Sequence, residues 1–427
     1  MELLAPPRVL VLSGEPFNWR SATGITLANL FHGWPRNYLF EVYTANVERG
    51  PEFQWPAWRI SNADLALVGR VFGQSTGATN HVSTPTLAPT REEPIKDAAR
   101  SWLAPWLDFA PYDPPPRLLA VLDEFRPQVI YSMLGNIRLC RLARALASRY
   151  NVSIVPHFMD DWPTTYSVPG RSTATIASRP VVQREVRRLM RQAPLGLSIG
   201  DAMAHEYAVR YSRPFEAFMN PVEMAPESVR QAAAGRARLG YIGGLHLSRH
   251  NNIVQIAHAV RKLKNEGLNV QFSVWAPPRD ISQYGQTLTR AGALCGSLAP
   301  TEIQAELERL DIAIHTESFG KKESEYTRLS VSTKIPQYFA SSLPVFSYGP
   351  VSAASCQYIV DNDCGVCVER SGPELTERLR AVINDPTTRL RMGANGRRLA
   401  ADRHDAAKVR KRFLAALTQA ATMRART

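Results

Sequence analysis

The groups in this sequence most suited to holding phosphate sit in three turns. Arg8-Val-Leu-Val-Leu12 runs through a polar loop to Gly24, and Arg238-Leu-Gly-Tyr-Ile242 runs straight into Gly243 and Gly244. Each reads as a short strand, a glycine-bearing turn and a helical run, Ile25 to Trp34 in the first and Asn251 to Glu266 in the second. Glycine lets the backbone approach an anion, and a helix start offers free N–H groups and the positive end of its dipole. Ser332-Thr333-Lys334 stands at a further expected helix start, where hydroxyls, N–H groups and an ammonium can meet phosphate oxygens. Ordinary N-capping by the same Ser/Thr pair is compatible with that role. His157-Phe-Met-Asp160-Asp161-Trp-Pro163 follows the apolar run Val152–Pro156. Strand C-termini are where α/β sheets place ligand groups. His157 is therefore a candidate ligand contact, with a structural histidine as the alternative. Asp160 and Asp161 suit bound hydroxyls or a cation, or the plainer task of making a cap and a turn.

Those residues need a frame, and the chain supplies one by alternation. Further strand patterns fall at Val129–Met133, Leu195–Ile199, Val270–Trp275, Ala293–Cys295, Ile312–His315, Pro344–Phe346 and Gly365–Val368, with helical patterns between them. The run Asn136 to Tyr150 places Ile137, Cys140, Ala143 and Ala147 on one face. Such alternation implies parallel sheets covered on both faces. The expected fold class is α/β, with two doubly wound, Rossmann-like domains facing a central cleft. The expected divisions are an N-terminal domain over 1–218, a C-terminal domain over 219–403 and a basic helix over 404–427. Phe218-Met-Asn-Pro-Val222 marks the crossing, because a residue before proline is disfavoured in helix. Residues 50–116 break the rhythm with prolines and tryptophans, including Trp102 and Trp106 at helical spacing, and read as an irregular insertion.

Composition narrows the partners. The chain has 427 residues, 44% of them hydrophobic, enough for two cores, and a formal net charge of +13. That charge favours anionic partners. Basic residues concentrate between Arg389 and Arg426, which reads either as a solvated helix face or as contact with an anionic membrane surface. No helix-turn-helix, zinc or base-stacking motif points to nucleic acid. Five cysteines in so long a chain do not form a disulfide framework, and Cys364-Gly-Val-Cys367, with no second pair, reads as two small strand residues. No His, Cys or carboxylate set has convincing metal-ligand spacing. Neither a signal peptide nor an apolar run near the roughly 20 residues of a membrane span is visible. The expected location is cytoplasmic, with peripheral attachment to the inner face of the membrane as an option.

Taken in order, Ser21-Ala-Thr-Gly24, His157-Phe-Met-Asp-Asp-Trp-Pro163, Ser198-Ile-Gly-Asp201, Met219-Asn-Pro-Val222, Tyr241-Ile-Gly-Gly-Leu245 with Arg249, and Ser332-Thr-Lys-Ile-Pro-Gln-Tyr-Phe-Ala-Ser-Ser-Leu-Pro-Val345 resemble the GT-B glycosyltransferases, and among them glycosyltransferase family 4. The resemblance covers most of the chain apart from about 50–116. It implies a retaining, metal-independent and cofactor-free transfer of a hexose-type sugar from a nucleotide-sugar donor to a glycan or lipid-linked acceptor, in cell-surface polysaccharide or glycoconjugate synthesis. It places Arg249 where the family usually has a lysine on the donor diphosphate, Lys334 with Ser332 and Thr333 beside the same group, and His157 near the reactive carbon of the donor sugar. Asp160 and Asp161 fall on the acceptor side. Of two glutamates that members commonly carry eight positions apart, the alignment puts Leu329 at the first and Gln337 at the second. Gln337 can still bond ribose hydroxyls. Glu317, Glu323 and Glu325 are candidates to replace the first, and Gly244 replaces a frequent arginine. These departures keep two rivals open: a nucleotide-sugar epimerase or hydrolase on the same scaffold, and a degenerate member that binds nucleotide or a partner without turnover.

Overall fold

The computed structural model describes residues 6–61, 64, 112–165, 173–224, 230–369 and 371–423, with backbone alone for 173–177. Most of the irregular insertion, Trp102 and Trp106 included, lies outside the described residues.

Among the described residues, thirteen strands form two all-parallel sheets. The first holds β1 (Val9–Ser13), β2 (Leu39–Tyr43), β3 (Ala57–Arg59), β4 (Val129–Met133), β5 (Ser153–Phe158), β6 (Gly196–Ser198) and β7 (Phe215–Ala217), in the order β3-β2-β1-β4-β5-β6-β7. The second holds β8 (Arg236–Ile242), β9 (Asn269–Trp275), β10 (Leu294–Gly296), β11 (Ile312–Thr316), β12 (Val345–Tyr348) and β13 (Gly365–Val368), in the order β10-β9-β8-β11-β12-β13. Every residue of β1, β4, β5 and β11 is buried, as a strand covered on both faces requires. In each sheet the chain grows outward from a central strand, then returns to that strand's other side. The reversals fall between β1 and β4 and between β8 and β11. Doubly wound sheets bind ligands beyond the strand ends at such reversals.

The chain forms two compact units, Met219–Val409 and a second made of Met1–Phe218 with Arg410–Thr427. Local chemistry fixes the elements within them. Asn136 caps the helix Ile137–Tyr150 by accepting from Leu139 N–H at 2.9 Å, and Asn151 ends it in the left-handed conformation. The final helix, Ala406–Thr422, returns to the N-terminal unit through Phe413. Its ring lies 5.0 Å from Phe31, 5.5 Å from Tyr131 and 5.6 Å from Phe218, all edge-on.

The basic residues of the C-terminal region are largely engaged. Arg410 Nε donates to Asn29 O at 2.9 Å, Arg412 lies 5.0 Å over the Phe218 ring, and Lys408 Nζ donates to Ala401 O at 2.9 Å. Arg389 is buried and donates to the carbonyls of Ala233 and Arg236. The helix Ala406–Thr422 does carry a solvated basic face, with Lys408, Lys411 and Arg412 exposed, while part of the charge in this region also ties the chain to itself.

Phe413→Ala removes a buried ring packed against four others, Trp34 being the fourth, and should destabilise the N-terminal unit by about 3–5 kcal/mol. Urea denaturation followed by tryptophan fluorescence checks this. A loss below about 1 kcal/mol would mean that the last helix is not part of that core.

Candidate functional site

The second sheet's reversal brings two strand ends side by side. After β8, Gly243 N–H donates to Trp275 O at 3.0 Å, and Tyr241 OH donates to Gly244 O at 2.6 Å. A Cβ on Gly244 would lie 2.5 Å from the His246 ring, so this turn needs glycine for close packing. Asp280 Oδ2 then accepts from Leu245 N–H at 2.7 Å. Two consecutive non-glycine residues, Leu247 (φ 55°) and Ser248 (φ 60°), take the left-handed conformation. Each costs roughly 1–2 kcal/mol. They turn the chain so that Arg249 is the first residue of the helix Arg249–Asn265, two residues earlier than its sequence pattern indicates.

After β11 comes Glu317, only 2% exposed. Asn252, on the Arg249–Asn265 helix, pins that strand end by donating to Thr316 Oγ1 at 2.9 Å and to Glu317 O at 2.8 Å. Arg249 Nη2 meets Glu317 Oε2 at 3.0 Å. The other carboxylate oxygen lies 3.2 Å from His315 Nε2 and 3.4 Å from Ser355 Oγ. Burial by itself would raise the Glu317 carboxyl. The Arg249 charge and the adjacent His315 overcome that and hold it at about 2. Arg249 is likewise opposed by burial, yet Glu317 raises it above its ordinary value.

Ser355 carries the network onward. Its Oγ accepts from Ser332 N–H at 3.1 Å and lies 3.2 Å from Ser330 O, and Ser332 Oγ accepts from Lys334 N–H at 3.4 Å. Tyr338 OH lies 3.2 Å from both the N and O of Ile242, tying the short helix Ile335–Ala340 to the end of β8. Thus Gly243, Gly244, Arg249, Ser332, Lys334 and Gln337 belong to one connected patch in the C-terminal unit, with Thr333 between Ser332 and Lys334. Several of its polar groups are incomplete. Burial alone lowers Lys334, which has no acidic partner and no side-chain hydrogen bond among the described residues. Arg249 Nε and Gln337 Oε1 are buried without hydrogen bonds. An accepting amide oxygen, an unused guanidinium N–H and an ammonium without a counter-ion suit a ligand that carries both hydroxyls and phosphate. Among the described residues no group of three or more His, Cys, Asp and Glu side chains is placed to hold a metal ion.

Other expected residues go elsewhere. Gly24 is not in a loop: the first helix is Ala22–Leu30, Gly24 N–H donates to the capping Ser21 Oγ at 3.1 Å, and a Cβ there would lie 2.4 Å from the Asn18 amide. Its amide is therefore already used, and its glycine serves packing against Asn18. His157, at the end of β5, is fully buried, with Nδ1 2.7 Å from Tyr131 OH, and burial lowers it to about 4, so the ring is neutral at pH 7. Asp160 Oδ1 accepts from Trp162 N–H at 3.1 Å and shapes a turn. Asp161 is buried, accepting from Tyr207 OH at 2.6 Å and Arg210 Nη1 at 2.7 Å. It clamps helices of the N-terminal unit. Leu329 is 4% exposed and packs in a core.

Of the three alternative glutamates, Glu317 is the one held by Arg249, whereas Glu323 lies 3.4 Å from Ser248 Oγ. The partners His315, Asn252, Asp280 and Ser355 had no motif to announce them. One signal was available: Glu317 comes three residues after the apolar run Ile312–Ile314, near the kind of strand end that also drew attention to His157.

No protein-family model matches the chain, and no curated protein matches it. Its backbone is nevertheless similar to several solved structures. HepE of Anabaena, solved in complex with UDP-glucose, superposes with a TM-score of 0.60 at 12% identity, covering 96% of this chain and 99% of that one. An alpha,alpha-trehalose-phosphate synthase (UDP-forming) from Burkholderia vietnamiensis gives 0.56 at 15% identity, covering 96% and 100%. WaaG, a glycosyltransferase involved in lipopolysaccharide biosynthesis, gives 0.55 at 13% identity, covering 96% and 99%. With its two parallel-stranded, Rossmann-like units, the chain has the GT-B fold.

Glu317→Gln keeps the shape but leaves the Arg249 charge without its counter-ion, and should cost about 3–5 kcal/mol of stability in denaturant. The pH dependence has a fixed sign. A carboxyl depressed from 4.5 to about 2 on folding contributes stability that is complete above pH 4.5 and is lost as pH falls toward 2. The parent should show that loss and the glutamine variant should lack it. Equal acid sensitivity in both would mean that the pair does not form.

Proposed function

We propose that this chain is a glycosyltransferase of the family 4 type, moving a hexose-type sugar from a nucleotide-sugar donor to a glycan or lipid-linked acceptor with retention of anomeric configuration. The observation that carries this reading is the set of incomplete polar groups at the β8/β11 reversal: Lys334 Nζ without a counter-ion, Arg249 Nε without an acceptor and Gln337 Oε1 without a donor. The structural neighbours solved with UDP-glucose or described as UDP-forming make a UDP-sugar the first donor to try.

When the donor's bond from sugar carbon to phosphate oxygen breaks, negative charge grows on the diphosphate. Lys334 and the unused donors of Arg249 stabilise it. Glu317 acts as a positioning residue. It fixes one face of the guanidinium and cancels one of the two positive charges of Arg249 and Lys334. The Ser332 and Thr333 hydroxyls add neutral donors. Gln337 accepts from a ribose hydroxyl. The acceptor hydroxyl forms the new bond to the sugar carbon, its proton passes to the departing diphosphate oxygen, and nucleoside diphosphate leaves. Two fixed cations take the part that a divalent ion plays in other phosphate sites, so no metal is required. His157 is buried and neutral, and its Nε2 at the end of β5 is left without a hydrogen bond.

Calorimetry with UDP on the folded protein tests the donor assignment. Lys334→Ala should weaken binding tenfold to about a hundredfold, the loss of a charge-assisted contact worth about 1.5–3 kcal/mol. Gln337→Leu should weaken it by a smaller factor, and Gln337→Glu should leave it unchanged or tighter. Unchanged affinity in both Lys334→Ala and Gln337→Leu overturns the site.

Product analysis tests the chemistry. Transferred sugar with retained configuration, formed equally in EDTA and in magnesium, is the expected outcome. Free sugar or an epimer would identify a hydrolase or epimerase instead, and activity lost to EDTA and restored by a divalent cation would overturn metal independence.

A further inference from the structure

A second cationic feature lies in the N-terminal unit, away from the phosphate-type turns. The helices Ile137–Tyr150 and Thr173–Gln192 pack against each other. Neither contains a lysine, and Glu185 is their one acidic residue. Arg141 and Arg144 of the first helix and Arg188 of the second converge on buried Glu185, at 3.6, 3.3 and 2.8 Å. That cluster satisfies the seam between the helices.

Arg184, Arg187 and Arg191 are different. They stand at i, i+3 and i+7 and form one exposed ridge, opposite the buried Val182, Val186, Leu189 and Met190. None of the three side chains makes an ion pair or hydrogen bond among the described residues. Arg188 extends the positive charge toward the seam, with half of its pairing already taken by Glu185. Like charges three and four residues apart on a helix repel. The ridge therefore carries a small like-charge repulsion in each pair, which an anion lying against it would relieve.

We propose that this arginine ridge docks the protein on an anionic phospholipid surface. The partner is inferred from the chemistry of the ridge. Guanidinium is planar, stays charged and bonds phosphate through paired N–H donors, so an all-arginine row favours phosphate-bearing surfaces over generic negative charge. Nucleic acid fits less well, because unpaired bases need aromatic platforms. The one aromatic residue on these two helices, Tyr150, is half-buried and donates to Asp123 at 2.9 Å. The C-terminal helix, which the sequence singles out by its charge, has much of that charge engaged with its own chain. The inference does not depend on the donor site. It would bring the enzyme to the surface where a lipid-linked acceptor resides.

The test is flotation of the full chain with vesicles of phosphatidylcholine alone or with about one-third phosphatidylglycerol, at about 0.1 M and 1 M salt. Binding should require phosphatidylglycerol and should vanish at high salt, where the screening length falls from about 10 Å to about 3 Å. The variant Arg184→Gln/Arg187→Gln/Arg191→Gln should partition about a hundredfold more weakly, given three lost contacts of about tenfold or less each. A variant with the same charge loss elsewhere, Lys262→Gln/Lys264→Gln/Arg378→Gln, should bind like the parent. Equal loss in both variants, or none in the ridge variant, overturns the proposal. So does binding to an RNA duplex or an acidic peptide, but not to vesicles, that the ridge variant loses. Calorimetry of UDP on the ridge variant should match the parent, which separates failure of this inference from failure of the donor assignment.

Discussion

The buried pair of Arg249 and Glu317 is the interaction on which the candidate site depends. Moving both groups out of water is costly, and a well-packed apolar pair of similar size would be as stable or more so. Stability therefore does not explain why a pair stands here. Position does. One oxygen of Glu317 fixes Arg249 Nη2, while the other faces His315 and Ser355, so the guanidinium can turn only one edge, with Nε, away from its partner. Asn252 anchors the strand end that carries Glu317, and the left-handed residues Leu247 and Ser248 set the start of the helix that carries Arg249. Strain of that kind persists where surrounding contacts over-determine it, as the bonds from Tyr241 and Asp280 do in this turn.

Sheet topology explains why the pair can exist. β8 and β11 are neighbours in the sheet but far apart in sequence, because β9 and β10 are laid to one side and β12 and β13 to the other. The helices after β8 and β11 therefore diverge, and the space beyond the strand ends is left for side chains from both. The N-terminal sheet repeats this geometry at β1 and β4 with a different polar outcome. Glu41, buried on β2, is raised by burial and opposed by Arg49, and it also accepts from Phe17 N–H at 2.8 Å. Asp161 has Tyr207 and Arg210, and Tyr131 OH meets one nitrogen of His157. These groups pair with one another inside one unit, with His157 Nε2 left without a hydrogen bond. The patch around Arg249 differs in holding an ammonium without a counter-ion beside an unused guanidinium N–H and amide oxygen.

That difference sets how far the sequence could be read. The two parallel sheets were legible because their strands are buried on both faces and appear as short apolar runs such as Val129–Met133 and Ile312–Ile314. The phosphate-type turn after β8 was legible for the same reason, since it follows such a run directly. Gly24 misled because a glycine after a strand reads as a loop, whereas the Ser21 cap starts the helix three residues earlier and the glycine makes room for Asn18. Leu329 misled because fixed spacing was assumed across 317–337. A short helix, Lys321–Thr327, occupies that stretch and separates Glu317 from Gln337 by more than the common interval. His157 and Glu317 share the same kind of address, a strand C-terminus. Only burial and partners distinguish them, and no periodicity reports those.

Net charge carries a related lesson. A value of +13 states that anions are favoured without saying where. Once pairing is counted, the C-terminal cations divide among carbonyls, the Phe218 ring and the chain's own acids, as Arg389, Arg410 and Arg412 do. Around Arg249 and Lys334, one glutamate leaves a small positive remainder inside a partly buried patch, where a single unit of charge acts strongly because solvent screens it less. On the Thr173–Gln192 helix, the remainder is larger but exposed, so salt weakens it and no geometry selects a single ligand. The two remainders therefore suit different tasks. Precise placement of one diphosphate needs the buried patch with its fixed guanidinium. Loose attraction to an extended anionic surface needs the ridge, whose arginine side chains make no ion pair or hydrogen bond among the described residues.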